Sequence, residues 1–199
     1  MKVHALPNPK RMKMAPTQVA SSPRFLLRDM TAADHARAEA VHYRDQKFAD
    51  QAGYFGYLAC LYRAHSELGS AAAGMRGDAR EGAHHDRSAA LICADLGRVP
   101  VSGTVPGPGP ARLSAAQSWG VSYALIGSAL GATTVLRALQ GDVNWPLGYL
   151  QATAAFATSN GVARFFAALN AAAPEPEQAA SGARLVFDVI ANRQHLAEP

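Results

Sequence analysis

The sequence predicts an all-α fold that forms a single domain. The chain has 199 residues, of which 49% are hydrophobic, and this size suits one domain with a sizeable core. It is rich in alanine and has few runs of β-branched residues, a composition that favours helix. No segment alternates apolar and polar residues as a half-buried strand does, and no internal repeat is present. We therefore expect one helical domain over residues 23–199.

The first 22 residues differ from the rest of the chain. They contain three prolines and no apolar run, so we predict a disordered basic tail over residues 1–22 that lacks the hydrophobic region of a secretory signal. The chain carries +4 in total, and the first 24 positions contribute +5, which leaves −1 for the remainder. The basic residues of this stretch are Lys2, Lys10, Arg11, Lys13 and Arg24. Because no basic stripe with interleaved aromatics follows, the charge pattern indicates no nucleic-acid partner.

The two cysteines, Cys60 and Cys93, are too few and too far apart for a disulfide framework or a CxxC metal site. Both lie in apolar helical patterns, which predicts buried and reduced thiols. Reduced thiols and the lack of a secretory signal are typical of a cytoplasmic protein, and we expect that location.

The first helix is predicted to begin with Ser22 as N-cap and Pro23 at its first position and to run to about residue 44. His35 and Glu39 are four residues apart and share one face of it. A glutamate in this position can orient an imidazole, as the partners of metal-ligating histidines do. A lone helical histidine is more often a surface residue, so both interpretations of His35 stay open at this point.

The middle of the chain is predicted to hold two shorter helices. An aromatic-rich helix ends at Gly69. Residues 70–86 are small, charged and interrupted by glycine, which predicts a loop with a short helix. His84 and His85 are expected to be exposed there, because adjacent residues cannot face one point on a helix. A short helix over residues 87–96 follows, and a proline- and glycine-rich connection leads to the next helix.

The longest helix is predicted between Ser114 and Gln140. Ser114 and Gln117 have the spacing of a capping box, and Gly141 is a natural residue to follow a helix end. After it, an aromatic loop over residues 141–150 is predicted.

Two more helices complete the prediction. Asn160 is expected to cap a helix that ends before Pro174, and the last helix is expected over about residues 177–196.

Three glycines lie inside the longest helix, at Gly120, Gly127 and Gly131, and each costs roughly 0.5–1 kcal/mol of helix stability relative to alanine. Gly127 and Gly131 share a face, with Ser128 beside them, so the backbone there is bare. Three interpretations stay open. The helix could span a membrane, since it has an uncharged core and a GxxxG pattern. Its glycines could permit close helix packing, or its backbone could lie against a bound cofactor.

The first helix resembles the proximal helix of the bacterial, biliverdin-forming branch of the haem oxygenase family. The family pattern Leu-basic-x-x-Thr-x-x-x-His-x-x-x-Glu matches the sequence from Leu27 to Glu39. By this resemblance His35 is the axial ligand of the haem iron and Glu39 is its neighbour on the helix face. Arg28 falls where the family often has a basic residue near a haem propionate.

The longest helix resembles the distal helix of the same family, whose pattern is Tyr-x-x-x-Gly-Ser-x-x-Gly. Tyr123 falls on the tyrosine, and Gly127, Ser128 and Gly131 fall on the rest of the pattern. Phe187, in the last predicted helix, falls on a position that often walls the haem pocket. The two motifs also have the order and separation found in the family.

The resemblance covers about residues 24–196 and implies a haem oxygenase-like helical bundle, with haem between a proximal and a glycine-kinked distal helix. The implied reaction turns haem, dioxygen and electrons into biliverdin, carbon monoxide and iron, so that haem is both substrate and cofactor. Ordered water and Ser128 would carry the protons. An external donor, a ferredoxin or a flavin reductase, would supply the electrons, because the chain has no nucleotide-binding or iron–sulfur motif. A biliverdin-using photoreceptor is one implied partner, and no membrane is implied.

Three positions depart from the family pattern. Ile126 stands where many bacterial relatives have glutamate, and Ala132 replaces a common second glycine. The helix after Asn160 lacks a tryptophan often found there, although Arg164 could supply a propionate contact. A non-catalytic haem carrier or sensor of the same fold is therefore the alternative. A di-iron oxidase, which would need clustered carboxylates combined with Glu-x-x-His pairs, is not the interpretation we favour, and a helical interaction module would not explain the glycine face.

Overall fold

The computed structural model describes residues 22–43, 48–97, 112–139 and 144–192, and all regular structure within these ranges is helical. The all-α prediction is confirmed there. The predicted tail up to residue 21 and the connection at residues 98–111 lie outside the described residues. The helices are α1 (Pro23–His42), α2 (Gln51–Arg63), α3 (Ser70–Arg76), α4 (Ala79–Asp95), α5 (Ala115–Leu139), α6 (Gly148–Thr158), α7 (Asn160–Ala172) and α8 (Pro176–Ala191), with a π-helical turn (Ala64–Gly69) between α2 and α3.

Helix α1 follows the sequence prediction closely. Pro23 occupies its first turn, although the Ser22 side chain makes no capping hydrogen bond. Its buried residues include Leu27, Thr31 and Ala38, which follow one another at intervals of four and seven residues and therefore form one face. Of the motif residues on this helix, Thr31 is buried, whereas Arg28, His35 and Glu39 are exposed.

Helix α5 begins with the predicted capping box. The Gln117 side chain accepts a hydrogen bond from the Ser114 backbone N–H at 2.9 Å, and the Ser114 hydroxyl accepts one from the Gln117 N–H at 3.2 Å. Both halves of the reciprocal motif are therefore formed. The helix is α-helical throughout its 25 residues, including the three glycines, while the expected end at Gly141 lies outside the described residues.

Helix α8 packs against both α1 and α5 and so connects the two motif-bearing helices. Its contact with α5 depends on a glycine from each side. A methyl group at Gly120 would overlap the Ala179 carbonyl, and one at Gly182 would overlap the Gln117 carbonyl. The close-packing interpretation is therefore correct for Gly120, where backbone meets backbone.

We expect Gly120→Ala and Gly182→Ala each to destabilise the fold by about 1–3 kcal/mol or more, since the overlapping atoms are backbone that cannot rotate away. The matched control is Gly74→Ala in α3, where an added methyl group meets nothing within 4 Å. That change is expected to stabilise the protein by roughly 0.5–1 kcal/mol. Urea denaturation of the three variants measures the difference, and equal stabilities would contradict the packing described here.

The middle of the chain differs from its prediction. Gly69 does not end a helix, because the chain passes through the π-helical turn directly into α3. Helix α4 begins at Ala79, eight residues before the predicted start, where the Asp78 carboxylate caps the backbone N–H groups of Arg80 and Glu81. The prediction missed this cap because the glycines and charges around it are also typical of loops.

The sequence predicted that His84 and His85 are both exposed, and this prediction was wrong for His85. His85 is fully buried, whereas His84 is half-buried. The absent side chain of Gly69 makes room for the buried ring, since a Cβ there would lie only 2.7 Å from His85 Cγ. Adjacent residues do point in different directions, as expected, but the helix turns His85 toward the core.

The chain after residue 144 is also more helical than predicted. Helix α6 begins at Gly148, inside the predicted aromatic loop, so the loop prediction was wrong for residues 148–150. The Asp95 carboxylate accepts hydrogen bonds from the Gly148 and Tyr149 N–H groups at 3.1 and 2.8 Å. Such a cap from a distant residue cannot be read from local sequence. Ser159, rather than Asn160, caps α7.

Helix α5 is long and apolar enough to cross a membrane by length and composition alone. Of its most apolar 18-residue window, 56% is buried within the protein, where it contacts α6, α7 and α8. The core helix of a soluble protein passes the same test, so these properties are weak evidence for a membrane span.

Candidate functional site

A cleft of about 360 Å³ lies between α1 and α5, a volume within the usual range for ligand sites. Helix α8 contributes Phe187 and Ile190 to its lining, and α7 contributes Phe166. Most lining side chains are apolar or aromatic. The cleft brings together residues of both motifs, namely Arg28, Thr31, His35 and Glu39 from α1 and Tyr123, Gly127 and Ser128 from α5.

The His35 imidazole lines the cleft with 54% of its side chain exposed. Its ring lies edge-on to Phe187, with the centroids 5.5 Å apart. Its Nδ1 lies 3.6 Å from the Glu39 carboxylate, beyond a direct hydrogen bond but within reach through water. Within the described part of the chain, Nε2 has no hydrogen-bond partner, so the ring has a nitrogen available to a ligand.

Glu39 is itself held by a neighbour that sequence reasoning missed. Tyr43, one turn further along, lines the same cleft. Burial, and then the charge of Glu39 and a hydrogen bond to it, raise the pKa of Tyr43 well above its ordinary value. His35, Glu39 and Tyr43 thus form a row along α1 at intervals of four residues. That spacing was a signal available in the sequence.

One end of the cleft is cationic. Arg24 stacks on the Phe166 ring, with its guanidinium carbon 4.1 Å from the ring centroid, and Arg28 is exposed and paired with Asp29 at 2.9 Å. Both arginines line the cleft. Arg24 lies one helical turn before Arg28, and in the sequence it indicated only the basic charge of the first 24 positions.

The two motifs meet at Tyr123 and Thr31. Burial raises the pKa of the Tyr123 phenol, while a hydrogen bond with the Thr31 side chain acts in the opposite direction. Thr31 is buried and donates to the Leu27 carbonyl at 2.7 Å. The tyrosine of the α5 motif and the threonine of the α1 motif therefore close one side of the cleft together.

The two motif glycines occupy different environments. Gly127 lines the cleft, whereas Gly131 is exposed and is not among the cleft residues. A Cβ added at either position would meet nothing within 4 Å. Neither glycine is therefore required by packing among the described residues, in contrast to Gly120.

Arg164 does not line the cleft. It lies on the exposed side of α7, while Phe165 and Phe166 occupy the buried side. The propionate contact suggested for Arg164 has no support from this placement, and Arg24 occupies the corresponding end of the cleft. The sequence could not settle this, because helical phase decides which residue of a short polar–aromatic run points inward.

His42 is not at the cleft. It is buried one turn after Ala38, and its Nε2 lies 2.5 Å from the Ile190 carbonyl. Among the described residues no group of three or more His, Cys, Asp or Glu side chains could hold a metal ion. The di-iron interpretation therefore finds no carboxylate cluster in this part of the chain.

A buried polar network lies outside the cleft, and none of its members lines it. The His65 Nδ1 and His85 Nδ1 atoms are 3.0 Å apart, and His65 Nε2 lies 3.2 Å from the Tyr149 hydroxyl. His85 Nε2 lies 3.3 Å from the Glu81 carboxylate. Spacing along the sequence does not reveal this network, because its members come from three separate elements, the π-helical turn, α4 and α6.

Glu81 is ionised within this network. Burial opposes its ionisation, but hydrogen bonds from His85, Arg76 and Ser122 and the charge of Arg76 outweigh burial and lower its pKa to about 2. Arg76 and Glu81 form a buried ion pair, and the Arg76 guanidinium lies over the Trp119 ring. A buried charge is thus compensated on several sides, as it must be away from water.

Comparisons of the chain with models of protein families, with curated proteins and with solved structures find no match.

Proposed function

We propose that the cleft binds haem and that the protein is a haem oxygenase, which cleaves haem to biliverdin, carbon monoxide and iron. One observation carries the proposal. The half-exposed imidazole of His35 lines the α1 side of a largely apolar cleft, and the α5 side of this cleft includes the bare backbone of Gly127. An apolar planar ligand with one axial coordination position matches such a site.

The residues of the cleft fit this ligand on three counts. The Nε2 of His35 has no partner within the described residues, and imidazole nitrogen is a common axial ligand of haem iron. Arg24 and Arg28 lie at one end of the cleft, where they could pair with the propionates. Phe187, Phe166 and Tyr57 supply aromatic surface for the macrocycle.

Haem, when bound, supplies the capacity to activate dioxygen. The chain supplies orientation and exclusion of water. His35 would fix the iron, while Glu39 and Tyr43 would fix the ring of His35. Gly127 would leave the space opposite His35 open to a small ligand, and Ser128, whose hydroxyl now donates to the Leu125 carbonyl at 2.7 Å, would hold a proton at its edge.

The direct test is the absorption spectrum of the purified protein with haemin, followed after a ferredoxin or flavin-reductase system is added in air. We expect one haem per chain, a spectrum typical of histidine ligation, and conversion of the haem band to that of biliverdin. Failure to bind haemin stoichiometrically would contradict the proposal. The proposal also includes an external electron donor, a cytoplasmic location and the use of biliverdin by a photoreceptor.

A haem carrier or sensor is the second candidate. None of the α5 residues that line the cleft has a carboxyl, imidazole or amino group. These residues are Tyr123, Ala124, Gly127, Ser128 and Leu130. If the hydroxyl groups of Tyr123 and Ser128 do not deliver protons, the site would hold haem without cleaving it. The same experiment separates the candidates, since a carrier keeps its haem band after reductant is added.

The cysteines provide a check on the site assignment. Cys60 and Cys93 are both buried, and neither lines the cleft. We expect the double variant Cys60→Ala/Cys93→Ala to bind haemin with an affinity within about threefold of the original, a difference below 1 kcal/mol. Haemin titration measures this, and loss of binding in a folded double variant would show that a thiolate holds the iron.

A further inference from the structure

We propose that the buried pair formed by His65 and His85 is a pH-sensitive switch, which holds the π-helical turn against α4 and α6 at neutral pH and releases it at weakly acidic pH. The proposal does not depend on which ligand occupies the cleft, because neither histidine lines it. It rests on the geometry of the pair, on its burial and on the few protonation states that this geometry admits.

The π-helical turn is built around the two rings. His65 lies near the start of the turn, and Gly69, at its end, makes room for the other ring, since a Cβ at Gly69 would lie 2.7 Å from His85 Cγ. The two Nδ1 atoms are 3.0 Å apart, and both side chains are shielded from solvent. Turns of this kind are rare and occur frequently at functional sites. The pair therefore joins this turn to α4.

The other nitrogen of each ring also has a partner. His85 Nε2 lies 3.3 Å from the Glu81 carboxylate, and His65 Nε2 lies 3.2 Å from the Tyr149 hydroxyl. Ionised Glu81 can only accept, so His85 Nε2 carries a proton. The Nδ1 atom of His85 faces His65 Nδ1, and only one proton fits between two nitrogen atoms at hydrogen-bond distance.

This geometry limits how many protons the folded pair can bind. When both rings are neutral, His65 Nδ1 donates to His85 Nδ1, and His65 Nε2 accepts from the Tyr149 hydroxyl. One extra proton can be held at His85 Nδ1, which then donates to His65 Nδ1. His65 then carries its single proton on Nε2 and donates it to the Tyr149 oxygen. A second extra proton would place two N–H donors against each other, so the folded pair binds at most one.

The unfolded chain has no such limit. Below about pH 6.5, the ordinary pKa of histidine, both free imidazoles are protonated, so the unfolded state binds at least one proton more than the folded state. Each such proton lowers the folding equilibrium constant by about tenfold per pH unit, and stability is therefore lost as the pH falls below about 6.5. Burial, followed by the nearby rings of His85 and His84, lowers the pKa of His65 well below its ordinary value, in agreement with this limit.

His84 adds to the effect from its place beside the pair. Its ring centroid lies 5.5 Å from that of His85, and it stacks on Phe156 at 4.2 Å. Burial, and then His85, lower the pKa of His84 to about 4. Because the folded pKa is the lower one, stability is lost as the pH falls from about 6.5 toward 4, in the same direction as for the pair. Glu81 contributes only in stronger acid, because its pKa is lowered from 4.5 to about 2.

The other titratable groups near the pair come from the elements that pack around it. The Tyr149 phenol keeps its proton in acid, because burial raises its pKa to about 12, and Arg76 of α3 is paired with the Glu81 carboxylate. On α8, Arg184 and Asp188 bind α1 side chains instead. The remaining nearby groups are Tyr54 and Tyr57 of α2, Glu67 of the turn, and Asp86 and Asp95 of α4. Carboxyl, phenol and guanidinium groups ordinarily titrate outside about pH 5 to 7, so the histidines determine the response there.

The first test measures stability by urea denaturation at several pH values. We expect the folding equilibrium constant to fall by at least about tenfold per pH unit between about pH 6.5 and 5. In His65→Asn, an amide that binds no proton replaces the imidazole, so the fall per pH unit should be about tenfold smaller. A pH dependence equal to that of the unaltered protein would overturn the switch.

Two glycine variants provide a matched comparison in the same experiment. Gly69→Ala should lower stability at neutral pH and weaken its dependence on pH, because the added methyl group displaces the His85 ring. Gly74→Ala lies in the next helix, where an added Cβ meets nothing within 4 Å, and should keep the full pH dependence. The same pH dependence in both variants would contradict the role of the ring pair.

The second test uses the unaltered protein and stays decisive if His65→Asn does not fold. Ring ¹⁵N chemical shifts, followed from neutral to acidic pH, should never show His65 and His85 as imidazolium together while the protein is folded. Two imidazolium rings in the folded protein would overturn the limit of one extra proton.

Amide hydrogen exchange measures where the fold opens. After correction for the intrinsic effect of pH, protection in the π-helical turn and at the start of α6 should fall more on acidification than protection in α1, which lies on the cleft side. Equal losses in all three would mean that acid unfolds the whole domain at once, and would contradict a switch in this part of the fold.

Discussion

Replacement of His35 by alanine is expected to abolish the spectrum of histidine-ligated haem and to weaken haemin binding by at least about tenfold, or about 1.4 kcal/mol. The fold should survive, because the side chain is 54% exposed and its ring meets the core at the edge of Phe187. Titration with haemin and thermal denaturation of the same sample measure both quantities.

Two controls make this result specific. In His35→Gly, added imidazole should restore the ligated spectrum. The cleft is open to solvent at this position, and free imidazole has the same ring as the deleted side chain. His84→Ala, which removes another partly exposed histidine, should leave the spectrum unchanged. An unaltered Soret band in His35→Ala would assign the iron to another histidine and would remove the basis of the proposed function.

The sequence predicted best those features that depend on neighbours along the chain. The capping box of α5, the proline at the start of α1 and the shared face of His35 and Glu39 follow from spacing alone, and the structure confirms their local geometry. The cleft also contains most of the residues that the two motifs named. What remained a prediction is the chemistry, since position in a cleft does not identify a ligand.

The features that the sequence could not predict depend on contacts between distant segments. Asp95 caps α6 across more than fifty residues. The burial of His85 needs the missing side chain of Gly69. Arg164 points outward because the phase of α7 turns Phe165 and Phe166 to the core. In each case the local pattern was compatible with two arrangements, and tertiary packing decided between them.

Gly127→Leu is expected to have the second large effect, because its side chain would enter the space opposite His35. Haemin affinity should fall by about tenfold or more, while stability should not fall, since an added Cβ meets nothing within 4 Å and leucine is a better helix former than glycine. Gly127→Ala should raise the melting temperature slightly, with haem still bound, but should lower the yield of biliverdin per bound haem.

Gly131→Leu is the matched comparison. Gly131 lies one turn further along α5 than Gly127, and leucine gives the same gain in helix propensity at both positions. A Cβ added at Gly131 also meets nothing within 4 Å. Since Gly131 is exposed and does not line the cleft, the structure favours a smaller loss of haemin affinity there than at Gly127. Equal losses at both glycines, without destabilisation, would mean that haem lies across both positions, as the resemblance implies. Loss of stability at Gly127 with an unchanged yield per bound haem would assign that glycine to packing and would contradict the proposed site.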